Sequence, residues 1–323
     1  MQVAYLVLSH RPPSQLRRLL STLRNQDHDA PLIVHHDRFR STVSESDVDV
    51  GGRVELLTSA HPIGWGDFSQ VEVYWRMLGW MIDHVDFDWV VLLSAQDCPI
   101  KPLSELRDML EHVEGDAILS ARAIDEIPEA DQRVEFQNRY YYQYAEAPNL
   151  GIRKHLPNGT QKVLRSGARV GADVVNRLQS TAHVYKFPDG LNYRVGRRAR
   201  TTPFSSTAPC WQASSWATLS QKAAETVVSY ARDNADYVSY YQSTVLADES
   251  ATATILCNDP ATRVADGDLH HVRWSNALSG HPDIFHAKDV DELAMSSKYF
   301  ARKFDIDDDA VVLDRLDDLI ARP

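Results

Sequence analysis

Cysteine is scarce in this chain: Cys98, Cys210 and Cys257 are the only three. They cannot close into a full set of pairs and show no metal-ligand spacing, so a disulfide framework and a zinc module are set aside; three buried small hydrophobes in a reducing compartment are expected. Positive charge is also in deficit, with 34 Lys and Arg against 45 Asp and Glu and a net charge of −11. That balance argues against broad binding to nucleic acid or an anionic membrane, so an anionic ligand needs a local cluster of cations. Long apolar runs are missing as well. The stretch from Val3 to Leu8 is too short for a signal core or a bilayer span, which leads to the expectation of a soluble, cytoplasmic protein.

What is present is 43% apolar residues in 323, enough core for one large domain or two small ones. With no internal repeat and no low-complexity linker, one domain over residues 1–323 is favoured, carrying a loop-rich inserted subregion at about 120–205 where the periodicity weakens. The first forty residues read as a βαβ unit: a strand from Val3 to Ser9, a helix opening at Pro12-Pro13-Ser14, and a strand from Ala30 to His35. Val54 to Leu57 reads as a third strand, Phe68 to Val85 as an amphipathic helix, and Trp89 to Leu93 as a strand buried on both faces. Helices are expected over Trp216 to Tyr230 and Ser243 to Ile255. Alternating elements around an apolar strand predict an α/β fold with a mostly parallel sheet flanked by helices.

In such sheets ligands lie outside the carboxyl ends of the strands. That rule nominates Ser9, His10 and Arg11, then His36 and Asp37, then Ser94 to Asp97. A nucleotide-sugar site built on Mg²⁺ or Mn²⁺ wants Asp-x-Asp at such an end, because hard cations seek carboxylate oxygens. Here Ser94-Ala95-Gln96-Asp97 offers one acid, and Asp86-Phe87-Asp88 precedes its strand instead of following it. Further on, Leu246-Ala247-Asp248-Glu249-Ser250 sets two acids before a run of small residues, a pattern suited to a helix start or to a positioned carboxylate base.

Taken in order, the segments VAYLVLSHRPPSQLRRLL, LIVHHD, HPIGWGDFSQVE, WVVLLSAQDCPIKP, ASSWATLSQ, ADESATATILCND, HVRWSNALSGHPDIF and YFARKFD resemble the core-2/I-branching family of glycosyltransferases over residues 3–305. The resemblance implies a GT-A-type nucleotide-sugar-binding fold, no metal and no other cofactor, and inverting transfer from a UDP-sugar, N-acetylglucosamine or xylose, to an acceptor hydroxyl on a glycan or other alcohol. It implies Glu249 as the base, Lys303 at the leaving diphosphate, and Asp37 at the nucleoside with His10 and Arg11 beside it; the partner arginine of Lys303 does not align, which leaves Arg273, Arg302 or the group from Arg194 to Arg200 as candidates. Ser94 and Asp97 fall among the donor-binding positions, and Trp216 and Tyr140 are proposed acceptor contacts, with Trp65 a further matching tryptophan. Ala95, Asp67 and Ala213 replace glycines common in the family, which keeps open a binding protein of the same fold without turnover.

Overall fold

The computed structural model describes residues 1–146, 171–176, 181–187, 193–275 and 281–321. In chain order the strands are β1 (Val3–Ser9), β2 (Leu32–His36), β3 (Val54–Thr58), β4 (Trp89–Ser94), β5 (Asp97–Pro99), β6 (Ala117–Ile118), β7 (Ala121–Ala123) and β8 (Tyr142–Glu146). They continue with β9 (Ala182–Lys186), β10 (Tyr193–Arg198), β11 (Trp211–Ala213), β12 (Thr218–Ser220), β13 (Val264–Ala265), β14 (His270–Val272) and β15 (Phe300–Arg302). The central sheet has the order β13-β6-β12-β4-β1-β2-β3. Strands β1 to β4 are mutually parallel, and β12 is inserted antiparallel between β4 and β6. This is the mostly parallel α/β sheet expected.

Period-two alternation sorts β1 between two cores. Val3, Tyr5 and Val7 pack with Leu16, Leu19, Leu20 and Leu23 of helix Pro13–Gln26 and with Leu106 and Leu110 of helix Leu103–His112. On the other face Ala4 and Leu6 meet Val71, Tyr74, Met77, Leu78 and Met81 of helix Ser69–His84, backed by Val227 of helix Gln221–Asp233. Each such leucine contributes about 1.5–3 kcal/mol by leaving water. With β2 on one side of β1 and β4 on the other, the strand order reverses at β1, and the crevice lies at the ends of these strands.

Three expectations change. The segment from Trp216 to Tyr230 is not one helix: Thr218 and Leu219 are buried as β12 against β4, and the helix starts only at Gln221, after Ser220 accepts the Ala223 N–H. Nor is Ser243 to Ile255 one helix. Leu246 has φ +52°, which breaks the helical path and yields the 3₁₀ turn Ala247–Glu249 before helix Ala251–Asn258. Within the region read as loops, the chain forms helix Ala130–Tyr140 and the antiparallel sheet β8-β10-β9.

A smaller sheet, β14-β15-β5, abuts the end of β4, with Arg302 opposite Asp97. The Asp97 carboxylate is buried and accepts the Ser94 N–H at 2.7 Å and the Ser94 hydroxyl at 3.0 Å. His270 Nε2 lies 3.3 Å from it and Arg302 Nη1 3.6 Å. Burial opposes its ionisation, but Arg302, His270 and the Ser94 amide outweigh burial and hold the carboxyl below the usual range. For His270 burial is likewise outweighed, by Asp268 and Asp97, so its pKa is raised. The contribution of Asp97 is therefore present above the ordinary carboxyl pKa and lost on acidification. That of His270 is present below the ordinary imidazole pKa and lost as pH rises through the raised one. Replacing Asp97 with Ala takes a buried carboxylate from half-buried Arg302 and buried His270 and is expected to remove about 3–5 kcal/mol in urea unfolding; a loss below about 1 kcal/mol, typical of a surface pair, would contradict this assignment.

Candidate active site

Backbone bonds gather the loops after β1, β2 and β4: the Asp37 N–H donates to the Ser9 carbonyl at 2.8 Å and the Ala95 N–H to that of Leu8 at 3.0 Å. Asp37 itself is buried, and its carboxylate accepts the N–H groups of Phe39 and Ile63 and the Ser59 hydroxyl. These bonds shape the loops around the carboxylate. Ser94 and Asp97 likewise bond within their own loop. The Ser94 hydroxyl donates to Asp97 and accepts the Gln96 N–H, so the pair closes the loop after β4.

Gln96, nominated in the sequence only as part of the loop after β4, clamps the C-terminal motif. Its side-chain amide donates to the Phe304 carbonyl at 3.1 Å, and its own carbonyl accepts the Phe304 N–H at 2.9 Å. Lys303 is thereby held at the strand ends, with its carbonyl accepting the Phe285 N–H. Burial, Arg11 and Arg302 lower the pKa of its ammonium, which has no hydrogen bond or ion pair among the described residues. Arg11 stands beside it, 3.4 Å from Asp305. The same surroundings, burial first and then Arg11, Lys303 and Arg40, lower the pKa of His10. Arg11, Arg302 and Lys303 thus form a local cation cluster of the kind an acidic chain needs for an anionic ligand, and they hold the neighbouring His10 towards its neutral form.

Arg273 does not join them. It pairs with Asp283, Asp289 and Glu292 at 3.2, 3.0 and 2.6 Å and packs over Phe285, so its charge is already met. Arg194 is occupied too, 2.8 Å from Asp67. Of the arginines proposed to partner Lys303, Arg302 is the one beside it. Its guanidinium lies 4.1 Å over the ring of Trp216. Trp216 is half-buried and serves as the shelf for Arg302.

From Trp216 the chain leads to the acids. The hydroxyl of adjacent Ser215 donates to Asp248 at 2.8 Å, and burial raises the Asp248 pKa despite that bond. Glu249 follows, its side chain 32% exposed, with Oε2 accepting Arg139 Nη1 at 2.7 Å. Burial pushes its carboxyl up to about 7, against the pull of Arg139 and with help from Asp248. The turn carrying Glu249 is anchored by Leu246, whose N–H donates to the Gly66 carbonyl at 3.0 Å. Gly66 has φ +69°, and a Cβ there would come within 2.8 Å of the Phe187 ring, so this turn requires glycine. Trp65 beside it is 44% exposed and edge-on to Phe187.

Tyr140 is fully buried, and its hydroxyl donates to the Leu246 carbonyl at 3.2 Å. Through this bond it braces the Glu249 turn from behind. Of the Asp-x-Asp pairs, Asp86-Phe87-Asp88 lies at the opposite end of β4, where Asp88 accepts the Gln2 N–H. The described residues contain no group of three or more His, Cys, Asp or Glu that could hold a metal ion, and no helix long and apolar enough to cross a membrane.

The model of the Core-2/I-Branching enzyme family matches residues 3–168 and 188–297, and this chain belongs to that family. It is similar to beta-glucuronosyltransferase GlcAT14A of Arabidopsis thaliana, with 35% identity over 81 residues, covering 24% of this chain and 18% of that protein. The chain therefore spans under a fifth of the length of that curated relative. Among solved structures, the galactosyltransferase LgtC in complex with donor and acceptor sugar analogues matches 41% of this chain and 51% of its own, at 12% identity and a TM-score of 0.28. A 4-diphosphocytidyl-2C-methyl-D-erythritol synthase from Anaerococcus prevotii covers 83% of this chain and 90% of its own, at 8% identity and a TM-score of 0.33.

Replacing Tyr140 with Phe leaves the buried Leu246 carbonyl without this donor. Because that carbonyl keeps the Glu249 N–H, the change is expected to lower stability by about 0.5–1.5 kcal/mol in thermal or urea unfolding. A rise in acceptor KM at unchanged stability would instead return Tyr140 to the substrate.

Proposed function

We propose that this protein is an inverting, metal-independent glycosyltransferase that moves a sugar from a UDP-sugar to an acceptor hydroxyl. The observation that carries the reading is the bridge Glu249–Asp248–Ser215–Trp216–Arg302–Lys303, which ties a carboxylate with a raised pKa to a cation cluster at the strand ends. The diphosphate lies against Lys303, Arg302, Arg11 and His10. The acceptor hydroxyl lies at Glu249. As that oxygen attacks the anomeric carbon, its proton passes to Glu249, the bond from carbon to phosphate oxygen breaks, and the electron pair leaves on UDP, where the cations meet the new charge. Opposed placement of base and cations favours in-line attack and inversion. Trp65, exposed beside the Glu249 turn, offers a face on which an acceptor sugar can stack. Family membership supports N-acetylglucosamine or xylose as the sugar, and the name of the Arabidopsis relative adds glucuronate. A thermal-shift screen against the three UDP-sugars, with GDP- and TDP-sugars as controls, separates them, because a ligand of the native state raises apparent stability.

Changing Glu249 to Gln is expected to cut transfer by about 10²- to 10⁴-fold with donor binding retained. Glu249 must be ionised to take the proton, so kcat/KM of the unaltered enzyme falls as pH drops below about 7; the residual activity of the variant lacks that limb. Undiminished transfer by Glu249→Gln sinks the mechanism, and a protein that binds UDP but transfers to no acceptor would fit the binding reading. Changing Trp65 to Ala is expected to raise acceptor KM about tenfold, from lost stacking of about 1–1.5 kcal/mol, and to leave donor KM unchanged; equal effects on both would place Trp65 elsewhere.

A further inference from the structure

Among the groups that the proposed reaction leaves unused, Arg139 has the closest link to its chemistry. It is the penultimate residue of helix Ala130–Tyr140, and the end of that helix is fastened to the Glu249 turn at two further points. The Arg139 carbonyl accepts the Val245 N–H at 3.5 Å, and the Tyr140 hydroxyl donates to the Leu246 carbonyl. The Arg139 side chain is 16% exposed and lies over the Phe136 ring. Its guanidinium is divided between two acids. Nε and Nη2 donate to a single oxygen of Glu135, at 3.2 and 3.1 Å, while Nη1 donates to Oε2 of Glu249 at 2.7 Å. The other Glu249 oxygen, Oε1, has no protein partner among the described residues.

We infer that Arg139 is the positioning residue of the base: held by Glu135, it fixes Glu249 through Oε2 and leaves Oε1 as the oxygen that takes the acceptor proton. The inference rests on the proposed role of Glu249. A carboxylate gripped at one oxygen by a planar, oriented donor loses rotational freedom while its second oxygen keeps its lone pairs for the substrate. The charged and titratable groups facing Glu249 are Arg139 and Glu135 from the helix, Asp248 from the turn, and the phenols of Tyr140 and Tyr185, the latter on β9. Among them Arg139 is the cation, so it opposes the burial and the Asp248 charge that raise the Glu249 pKa.

The test is the pH dependence of kcat/KM for the unaltered enzyme and for Arg139→Gln, Arg139→Lys, Glu135→Gln and Glu249→Gln, with UDP affinity and unfolding measured alongside. In Arg139→Gln the acid limb is expected to move up by about 1–3 pH units, with kcat reduced at least tenfold at pH 7 and UDP affinity kept. Arg139→Lys, which restores the charge without the fork, is expected to bring the limb most of the way back while kcat stays low. Glu135→Gln removes a negative charge and is expected to move the limb the other way. An acid limb unmoved in Arg139→Gln overturns the inference. Should that variant not fold, a limb and a kcat both unchanged in Arg139→Lys do the same. A limb that persists in Glu249→Gln overturns the base assignment itself, so the two failures are told apart.

Discussion

A single buried carboxylate, Asp97, joins the two sheets on which the site is built. It caps the end of β4 through Ser94 and draws His270 and Arg302 against it from β14 and β15. Arg302 in turn rests on Trp216, Ser215 next door holds Asp248, and Glu249 follows in the same turn. The catalytic proposal thus depends on an ion cluster that touches no substrate. An unpaired charge at this depth costs several kcal/mol, so the joint is stable only as a complete set of partners.

Electrostatics divide the candidate site. In a chain of net charge −11, cations of the β1 loop and of the C-terminal motif converge at the strand ends. At the Glu249 end, burial and a neighbouring acid favour the protonated form, and one arginine offsets both. Such opposed environments suit the proposed reaction, in which the leaving anion is met by fixed charge and the attacking oxygen by a base poised near neutrality.

Much of the frame was legible in the sequence, and the reason is burial. β1, β2, β4 and helix Ser69–His84 carry alternating or helical apolar patterns because both sheet faces are covered. The strand β12 was not legible: three residues make a strand only because β4 lies beside them. Leu246 gave no warning of its positive φ, since leucine carries no turn signal and the hydrogen bond to Gly66 imposes the conformation. In the site, Arg302 lies beside Lys303, and both connect through Trp216 and Ser215 to the turn that carries Glu249. Asp37, Ser94 and Asp97 sit at the expected strand ends, where their groups bond within the loops, and burial of a short polar side chain is a tertiary fact. Arg139 and the clamping role of Gln96 were missed for a related reason. Their partners lie more than a hundred residues away, although Glu135 four residues before Arg139 on one helix was a signal for the first half of the relay.

The central claim is that donor and acceptor chemistry occupy opposite ends of the Trp216 bridge. Calorimetric titration of UDP into the unaltered protein, Lys303→Ala and Glu249→Gln tests it most directly. The account predicts UDP affinity at least tenfold weaker in Lys303→Ala, the loss expected of one charge-assisted contact of about 1.5–3 kcal/mol, and unchanged in Glu249→Gln. Equal affinities for all three proteins, or a loss confined to Glu249→Gln, would contradict it.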